Sequence, residues 1–430
     1  MGDGVAREVE LTLCLGDGRV LGTTRRFTAD GPWPQFVWPV VAEARALLGL
    51  DMTVLRLQAI EERADGTPDL VRYLAEVDAP PLDASLLLGA VATGASDDRP
   101  PPPAWPEPEP EPEPEPLRMP WAVPGGPARA LRWATARLRE LEIAATGPPQ
   151  QVRTWNLSSL WIVPTDRGAA WLKQVPPFFA HEGAIIERMS RHRVPRLLAR
   201  DSGVVLLAEI PGEDLYDATD AQRAAMIDLL IGIQLDAGRP ADGVERLFEL
   251  GLPDWRLPAL AGAGARALEA SADRLSAAVR DGVTGLLDGL DARARRLEAC
   301  GLADTLVHGD FHSGNVRGTG SDLTLLDWGD SGIGHPLLDE AAFTARLSAA
   351  DAATARSHWV RAWAAAVPGS DAAEAMRLLA PVSALRQAVI YQGFLDRIEP
   401  DERVYHRDDP VEWLVRAADL VGRAPLSRGR

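Results

Sequence analysis

The chain has 430 residues, of which 46% are hydrophobic and 25% are charged, and its formal net charge is -17. This length exceeds one ordinary hydrophobic core and predicts two or three domains, while the negative charge would repel a polyphosphate backbone and argues against nucleic-acid binding. No stretch approaches the roughly 20 apolar residues of a membrane span. The acidic N-terminus lacks the apolar core of a signal peptide. The two cysteines, Cys14 and Cys300, form neither a disulfide framework nor a zinc motif. We therefore expect a cytoplasmic protein with no membrane partner, and the sequence leaves its oligomeric state open.

The first 95 residues predict a small α+β module. Apolar runs on both sides of Gly-Asp-Gly at 16–18 are typical of a β-hairpin, and the apolar spacing then changes from a helical to a strand-like period. The predicted elements are a hairpin over 7–27, a helix over 37–50 and strands over 52–60 and 70–77.

The helix of this module contains AEARALLGL and resembles the helix of a Nudix hydrolase. Ala46 and Leu47 stand where that family has paired metal-binding glutamates. The resemblance therefore implies a degenerate Nudix domain without hydrolase activity. A regulatory, dimerising or substrate-covering role stays open.

A proline and glutamate repeat follows at residues 96–120. Its central part, PPPPAWPEPEPEPEPEP, favours an extended polyproline helix and offers no side chains for a core. The 17 residues 100–116 would span roughly 50 Å at about 3.1 Å each. We predict a linker here and a first module that is separable from the rest of the chain.

The remainder of the chain predicts a small sheet followed by helices. The predicted elements are a helix over 127–141, strands in QVRTWNL, SLWIVPT and GAAWLKQVP, a helix over 181–190, a strand over 203–210, and then Ala-rich and Leu-rich helices. We predict a sheet lobe at 121–210 and a helical lobe at 211–430.

The segment LVHGDFHSGNVRGTGSDLTLLDWGD, residues 306–330, carries the strongest chemical signal. Phosphoryl transfer needs an oriented hydroxyl, a metal ion on the phosphates and cations for the developing charge. Asp310 lies in a loop where a carboxylate can accept the proton of the attacking hydroxyl. Asn315 and Asp327 offer oxygen ligands for Mg²⁺ beside ATP. For His308, structural hydrogen bonding is favoured over metal ligation.

The motifs HGDFHSGN and DWGDSGIGHPLLD resemble those of the aminoglycoside phosphotransferase and choline kinase family, although Ser313 stands where that family more often has proline. The resemblance implies a bilobal protein-kinase-like α+β fold, in which an antiparallel-sheet lobe precedes a helical lobe. It also implies that Asp310 is the catalytic base, that Asn315 and Asp327 bind magnesium, and that Asp339 braces the lobe.

Lys173 is the only lysine of the chain. It falls on the third strand of the predicted sheet, where an ammonium group can reach the phosphates of ATP. Glu182, at the start of the next helix, is the expected ion-pair partner, and Glu187 is the rival.

Two further segments are candidates for contact with the nucleotide. Ser158 and Ser159, in TWNLSSLW, lie where kinases place a loop over the phosphates, although a plain hairpin turn explains this pattern as well. Glu209 and Ile210 follow the strand VVLLAEI and resemble the connector whose backbone binds adenine in that family.

Together these features predict an ATP-dependent phosphotransferase that transfers the γ-phosphoryl group to a hydroxyl of a small molecule. The alternatives are a catalytically inactive pseudokinase that senses nucleotide, and a protein kinase, which the HGD sequence and the missing APE-like segment disfavour. An amino sugar or aminoglycoside-like cation is the expected acceptor because acidic residues flank the predicted cleft. Arg256 argues the other way, because it could pair with Asp254 or bind an anionic acceptor. These acidic residues are Glu213, Asp214, Asp217, Asp254, Asp330, Glu399 and Asp401.

Overall fold

The structure is a computed structural model that describes residues 5–31, 33–62, 68–80, 87, 116–239 and 243–423. The chain divides into two compact units. The first consists of Met1–Pro176, Val204–Leu207 and Arg397–Tyr405, and the second of Pro177–Gly203, Ala208–Asp396 and His406–Arg430. Most of the predicted linker, residues 96–115, lies outside the described residues.

A five-stranded sheet and one helix form the N-terminal part of the first unit. These elements are β1 (Val5–Cys14), β2 (Val20–Thr23), β3 (Phe27–Gly31), α1 (Trp38–Leu48), β4 (Met52–Glu62) and β5 (Pro68–Val77). The strand order is β2-β1-β5-β4, with β3 also paired to β1. The predicted hairpin is confirmed, since Leu13 pairs with Gly22 across β1 and β2. The parallel pairing of β1 with β5 was not predicted.

One face of this sheet is buried because alternate residues of β1 are apolar. Val9, Leu11 and Leu13 are fully buried and pack in one core with residues of β4, β5 and α1. Tyr73 is also buried in this core, and its hydroxyl donates to the carbonyl of Pro34 over 2.7 Å. The module is therefore a compact α+β structure, as the sequence predicts.

A second sheet in the first unit follows the linker. Its elements are α2 (Gly126–Glu140), β6 (Gln150–Trp155), β7 (Ser158–Thr165), β8 (Gly168–Gln174) and β10 (Val204–Ala208), while β9 (Leu197–Asp201) belongs to the second unit. Strands β6, β7, β8 and β10 lie side by side in that order. The predicted three-strand meander is confirmed by the antiparallel pairing of β6 with β7 and of β7 with β8.

The N-terminal module packs directly on this second sheet. The side chain of Gln151 makes two buried hydrogen bonds to the backbone of Val54, at 2.9 and 2.7 Å. Phe36 forms an isolated bridge with Arg153. The expectation of a first module held apart by the linker is therefore wrong, because a linker limits the reach of two segments without keeping them separate. The domain boundaries at 95, 120 and 210 stay predictions.

The second unit is mainly helical. Its helices are α3 (Glu182–Arg188), α4 (Asp220–Ala237), α5 (Gly243–Glu249), α6 (Leu257–Ser271), α7 (Ala277–Asp288), α8 (Leu290–Ala299), α9 (Leu338–Ala345), α10 (Ala349–Ala366), α11 (Ala372–Leu395) and α12 (Asp409–Arg423). Its short strands are β11 (Glu213–Asp214), β12 (Thr305–Val307), β13 (Val316–Thr319), β14 (Asp322–Leu325) and β15 (Gly332–Gly334). Strand β13 lies between β11 and β14, and β12 pairs with β15. Among the described residues, no helix is both long enough and apolar enough to cross a bilayer.

Candidate active site

The loop that carries Asp310 is held by a buried carboxylate. Strand β12 ends at Val307, and the next two backbone N–H groups, of His308 and Gly309, donate to the two oxygens of Asp339 over 2.9 and 2.8 Å. The amide of Gln234 donates to the same carboxylate over 3.0 Å. Burial raises the pKa of Asp339 to about 6, against the two backbone hydrogen bonds, which lower it. Asp339 therefore has the bracing position that the family resemblance implies.

Gly309 and Arg386 join this loop to the segment after β14. Gly309 has a φ of 92°, and a Cβ at this position would lie 2.0 Å from the carbonyl oxygen of Asp330. Arg386, on α11, is buried and donates to the carbonyls of Gly309 and Asp330 over 3.2 and 3.4 Å. Only glycine allows so close a backbone approach without a clash. The two loops are thus fixed against each other.

The carboxylate of Asp310 is held at one oxygen and is partly open to solvent. Asn315 donates from Nδ2 to Asp310 Oδ2 over 3.0 Å and to the Asp310 carbonyl over 2.8 Å. Nε2 of His312 lies 3.5 Å from the same Oδ2. Nδ1 of His312 accepts the N–H of Gly314, and Nη1 of Arg346 lies 3.4 Å from Nε2. Since 41% of the Asp310 side chain is exposed, a bound hydroxyl can reach it.

Asn315 and Asp327 lie at the same end of the hairpin formed by β13 and β14. Val316 pairs with Leu325, and the N–H of Leu326 donates to the carbonyl of Asn315 over 2.8 Å. Asp327, the next residue, has a φ of 61°, which is uncommon for a residue other than glycine and occurs at functional sites. The hairpin therefore brings the two predicted metal ligands together.

This oxygen pair fits a magnesium ion. Mg²⁺ keeps several water ligands and is held by one or two protein oxygens together with substrate phosphates. Asn315 already uses Nδ2 for Asp310, so Oδ1 is its remaining ligand atom, and Asp327 adds a carboxylate. Within the described residues, no cluster of three His, Cys, Asp or Glu side chains is suited to hold a metal ion by itself.

Two histidines near the loop have structural roles. His308 is fully buried, its Nε2 lies 2.8 Å from the carbonyl of Leu326, and its ring packs on Trp328 with centroids 4.6 Å apart. Burial lowers its pKa to about 4. The structural interpretation of His308 is therefore confirmed. His181 was not predicted; it is buried, hydrogen bonds to the backbone around DWGD, and has a pKa lowered by burial to about 4.

The lysine and glutamate expected to pair belong to different units. Lys173 lies on β8 opposite Leu160 and is buried. Glu182 begins α3 and is buried, whereas Glu187 is exposed and pairs with Arg200 over 2.7 Å. A buried glutamate suits a buried lysine better than an exposed one that already pairs with Arg200, which favours Glu182 over Glu187 as the partner of Lys173. The pairing of Lys173 with Glu182 stays a prediction.

The serines proposed to lie over the phosphates are inside the first unit. Ser158 Oγ accepts from Trp155 Nε1 over 3.0 Å, and Ser159 Oγ accepts from Trp161 Nε1 over 3.2 Å. Both serines are buried on β7. Contact with phosphates through this hairpin stays a prediction, and the packing gives the two hydroxyls a structural role as well.

The proposed adenine connector, Glu209 and Ile210, follows β10. The carbonyl of Ile210 accepts a hydrogen bond of 2.9 Å from Nε of Arg317. Adenine recognition by this segment stays a prediction.

Asp310 in its braced loop, its partner Asn315, and Asp327 after a short hairpin form the candidate site, and their roles stay predictions. A sequence model of the phosphotransferase enzyme family, abbreviated APH, matches residues 151–379, which is more than half of the chain. The chain therefore belongs to this family. The predicted family and the α+β fold class are confirmed. The resemblance of the N-terminal module to a Nudix domain stays a prediction.

Several solved structures are similar to this chain at low sequence identity. A macrolide 2'-phosphotransferase from Brachybacterium faecium is 15% identical, with 66% of this chain and 98% of that chain covered and a TM-score of 0.47. A choline/ethanolamine kinase family protein from Mesorhizobium loti is 17% identical, with 68% and 95% covered and a TM-score of 0.48. A choline kinase from Streptococcus pneumoniae is 14% identical, with 68% and 98% covered and a TM-score of 0.48. A search of curated proteins gave no match. The assignment to the family rests on the sequence match alone.

Proposed function

We propose that this protein transfers the γ-phosphoryl group of ATP to a hydroxyl of a small molecule in a magnesium-dependent reaction. The observation that carries this proposal is the Asp310 carboxylate, which is fixed at one oxygen by Asn315 and remains 41% exposed. A carboxylate in this state can orient an acceptor hydroxyl and accept its proton.

Asp310 Oδ1 is the atom offered to the acceptor, because Oδ2 is already bonded to Asn315 and approached by His312. The Asp339 carboxylate and the Arg386 guanidinium keep the loop backbone in one position. Such preorganisation contributes to the rate because the reacting groups need not be ordered during the reaction.

Asn315 and Asp327 are the residues that would hold magnesium. A bound ion would neutralise charge on the phosphates of the nucleotide and orient them. Lys173 is proposed as the cation that contacts these phosphates from the first unit, and Glu182 as its partner. Glu209 and Ile210 are proposed to contact adenine through their backbone.

The acceptor is proposed to be a hydroxyl-bearing small molecule. The case for a cationic acceptor is weaker than the sequence suggests, because arginines within the same unit pair with four of the seven acidic residues. These pairs are Asp214 with Arg317, Asp254 with Arg256, Glu399 with Arg118 and Asp401 with Arg56. The positive charge of the acceptor therefore stays a prediction.

ATP consumption against a panel of amines, sugars and antibiotics tests the proposal. With a productive acceptor, Asp310→Asn should lower turnover at least about a hundredfold while ATP binding is retained, since it removes the base and leaves the metal ligands. Asp327→Ala should instead weaken the binding of Mg-ATP. The matched control is Asp288→Asn at an exposed position of α7, which should leave turnover unchanged.

Two results would contradict the proposal. Near-normal turnover by Asp310→Asn would remove this residue as the base. Binding of ATP without turnover of any acceptor in the panel would favour the alternative of an inactive nucleotide sensor.

A further inference from the structure

Strand β6 is covered by the N-terminal module along the edge that does not pair with β7. Val54 lies at a bulge of β4, where the pairing with β5 shifts register. The amide of Gln151 exchanges two buried hydrogen bonds with it, accepting from the Val54 N–H over 2.9 Å and donating to the Val54 carbonyl over 2.7 Å. The Gln151 amide thus makes the two hydrogen bonds with Val54 that the backbone of a neighbouring strand would make.

The other end of β6 is held in the same way. Thr154 donates from Oγ1 to the carbonyl of Leu55 over 3.3 Å, and its N–H donates to the carbonyl of Gln35 over 3.0 Å. Gln151 and Thr154 would face opposite sides of a regular strand, but a register shift between Gln151 and Arg153 changes the alternation. Both side chains therefore reach the module.

The turn between β6 and β7 is anchored by a segment that is distant in sequence. This segment, Arg397–Tyr405, belongs to the first unit, although α11 and α12 on either side of it belong to the second. Asn156 is 1% exposed and donates from Nδ2 to the carbonyl of Glu402 over 3.3 Å. Tyr405 packs edge-on against Trp155 with ring centroids 5.7 Å apart. Both contacts lie at the tip of the hairpin.

Arginines and a tryptophan tie the same segment and hairpin together. Glu399 is 5% exposed and accepts from Arg118 at 2.9 Å, with Arg56 of β4 at 3.8 Å. Trp121, which follows the linker, donates from Nε1 to the carbonyl of Trp155 over 3.1 Å. The module, the segment 397–405 and the hairpin therefore form one continuous set of buried contacts within the first unit.

We propose that the described part of the N-terminal module (residues 5–31, 33–62, 68–80 and 87) and the segment Arg397–Tyr405 act as a fixed support for the β6 and β7 hairpin and thereby set the affinity for nucleotide. This inference rests on the proposed function, in which the hairpin contacts the phosphates of ATP. Fixing a loop before binding removes its ordering cost from the binding step. Gln151, Asn156 and Trp121 are accordingly positioning residues that act through the hairpin.

The test compares Gln151→Leu with Gln150→Leu. The two residues are neighbours on β6, but Gln150 is exposed, so the control makes the same substitution without breaking the contact to the module. We expect Gln151→Leu to speed hydrogen exchange over residues 153–160 and to raise the Kd for Mg-ATP about threefold to tenfold. The kcat at saturating ATP should stay within about twofold, and the control should match the wild type in all three measurements.

Trp121→Phe is a second variant in case Gln151→Leu fails to fold, since it removes one hydrogen bond to the hairpin and keeps an aromatic ring. Trp121→Phe should also raise the Kd for Mg-ATP and leave kcat unchanged. Faster exchange with a wild-type Kd in a folded variant would overturn the inference and leave the proposed function standing. Failure of the wild type to bind ATP would instead overturn the proposed function and, with it, the link to nucleotide affinity.

Discussion

Glu402 should make the stability of the first unit depend on pH. Glu402 is 5% exposed, and its pKa is raised from 4.5 to about 8. Burial is the largest cause, and the negative charges of Glu399 and Asp401 also raise the pKa. A hydrogen bond from the Leu57 amide and the positive charge of Arg56 lower it. Between these pH values the folded protein keeps a proton that the unfolded chain releases. Stability is therefore highest below about pH 4.5 as far as this group is concerned, and falls as the pH rises towards 8.

The size of the effect follows from the shift. A rise of the pKa from 4.5 to about 8 lowers the free energy of unfolding at high pH by on the order of 3 to 5 kcal/mol. Glu402→Gln keeps an oxygen that can accept from the Leu57 amide but cannot ionise, so the variant should not lose stability at high pH in this way. For a unit of this size, the variant should melt roughly 10 °C above the wild type near pH 9 and close to it near pH 5.

Thermal unfolding followed by circular dichroism from pH 5 to pH 9 measures this difference. The control is Glu412→Gln, at an exposed position of α12, which should follow the wild type at every pH. A difference between Glu402→Gln and wild type that does not widen with pH would refute the reasoning, because the cost would then not come from ionisation.

A substitution at Lys173 and a truncation before Met119 test two further features of the structure. Lys173→Arg keeps the charge but replaces a compact ammonium with a planar fork at a buried site, so turnover should fall at least about tenfold, and an unchanged rate would remove Lys173 from the site. A chain beginning at Met119 lacks the module that covers β6 and should give little soluble protein, with the full-length chain as control. Soluble truncated protein with a wild-type melting profile would restore the idea of a separable module.

Local patterns were enough to predict most elements and the centre of the site. The alternation of apolar residues predicted β6, β7 and β8, and turn residues predicted the hairpin of β1 and β2. The spacing of Asp310, Asn315 and Asp327 was equally local, since all three lie within one short hairpin and its flanks. These features need no knowledge of distant segments.

The residues that hold the loop in place were not predicted because their partners are far away in sequence. Gln234, in the last turn of α4, donates to the bracing carboxylate of Asp339 over a separation of 105 residues. Arg386, within α11, donates to Gly309 of the loop over 77 residues. One signal was present for both: a polar or charged residue within an apolar helical run, in IGIQLDA and in VSALRQAVI. Such a residue needs a buried partner, since an unpaired polar group inside a protein is costly.

The acidic segment IEPDE shows why charge in a sequence does not by itself locate a binding site. Glu399 and Asp401 were expected beside the acceptor, but both belong to the first unit, where Arg118 and Arg56 neutralise them. A carboxylate beside an arginine at about 3 Å contributes little field to a distant ligand, since the pair acts as a dipole. The same two residues instead help to fix the segment that supports the β6 and β7 hairpin. In the proposal above, Glu399 and Asp401 would therefore affect nucleotide binding by holding this hairpin in place, and their charges give no support to a cationic acceptor.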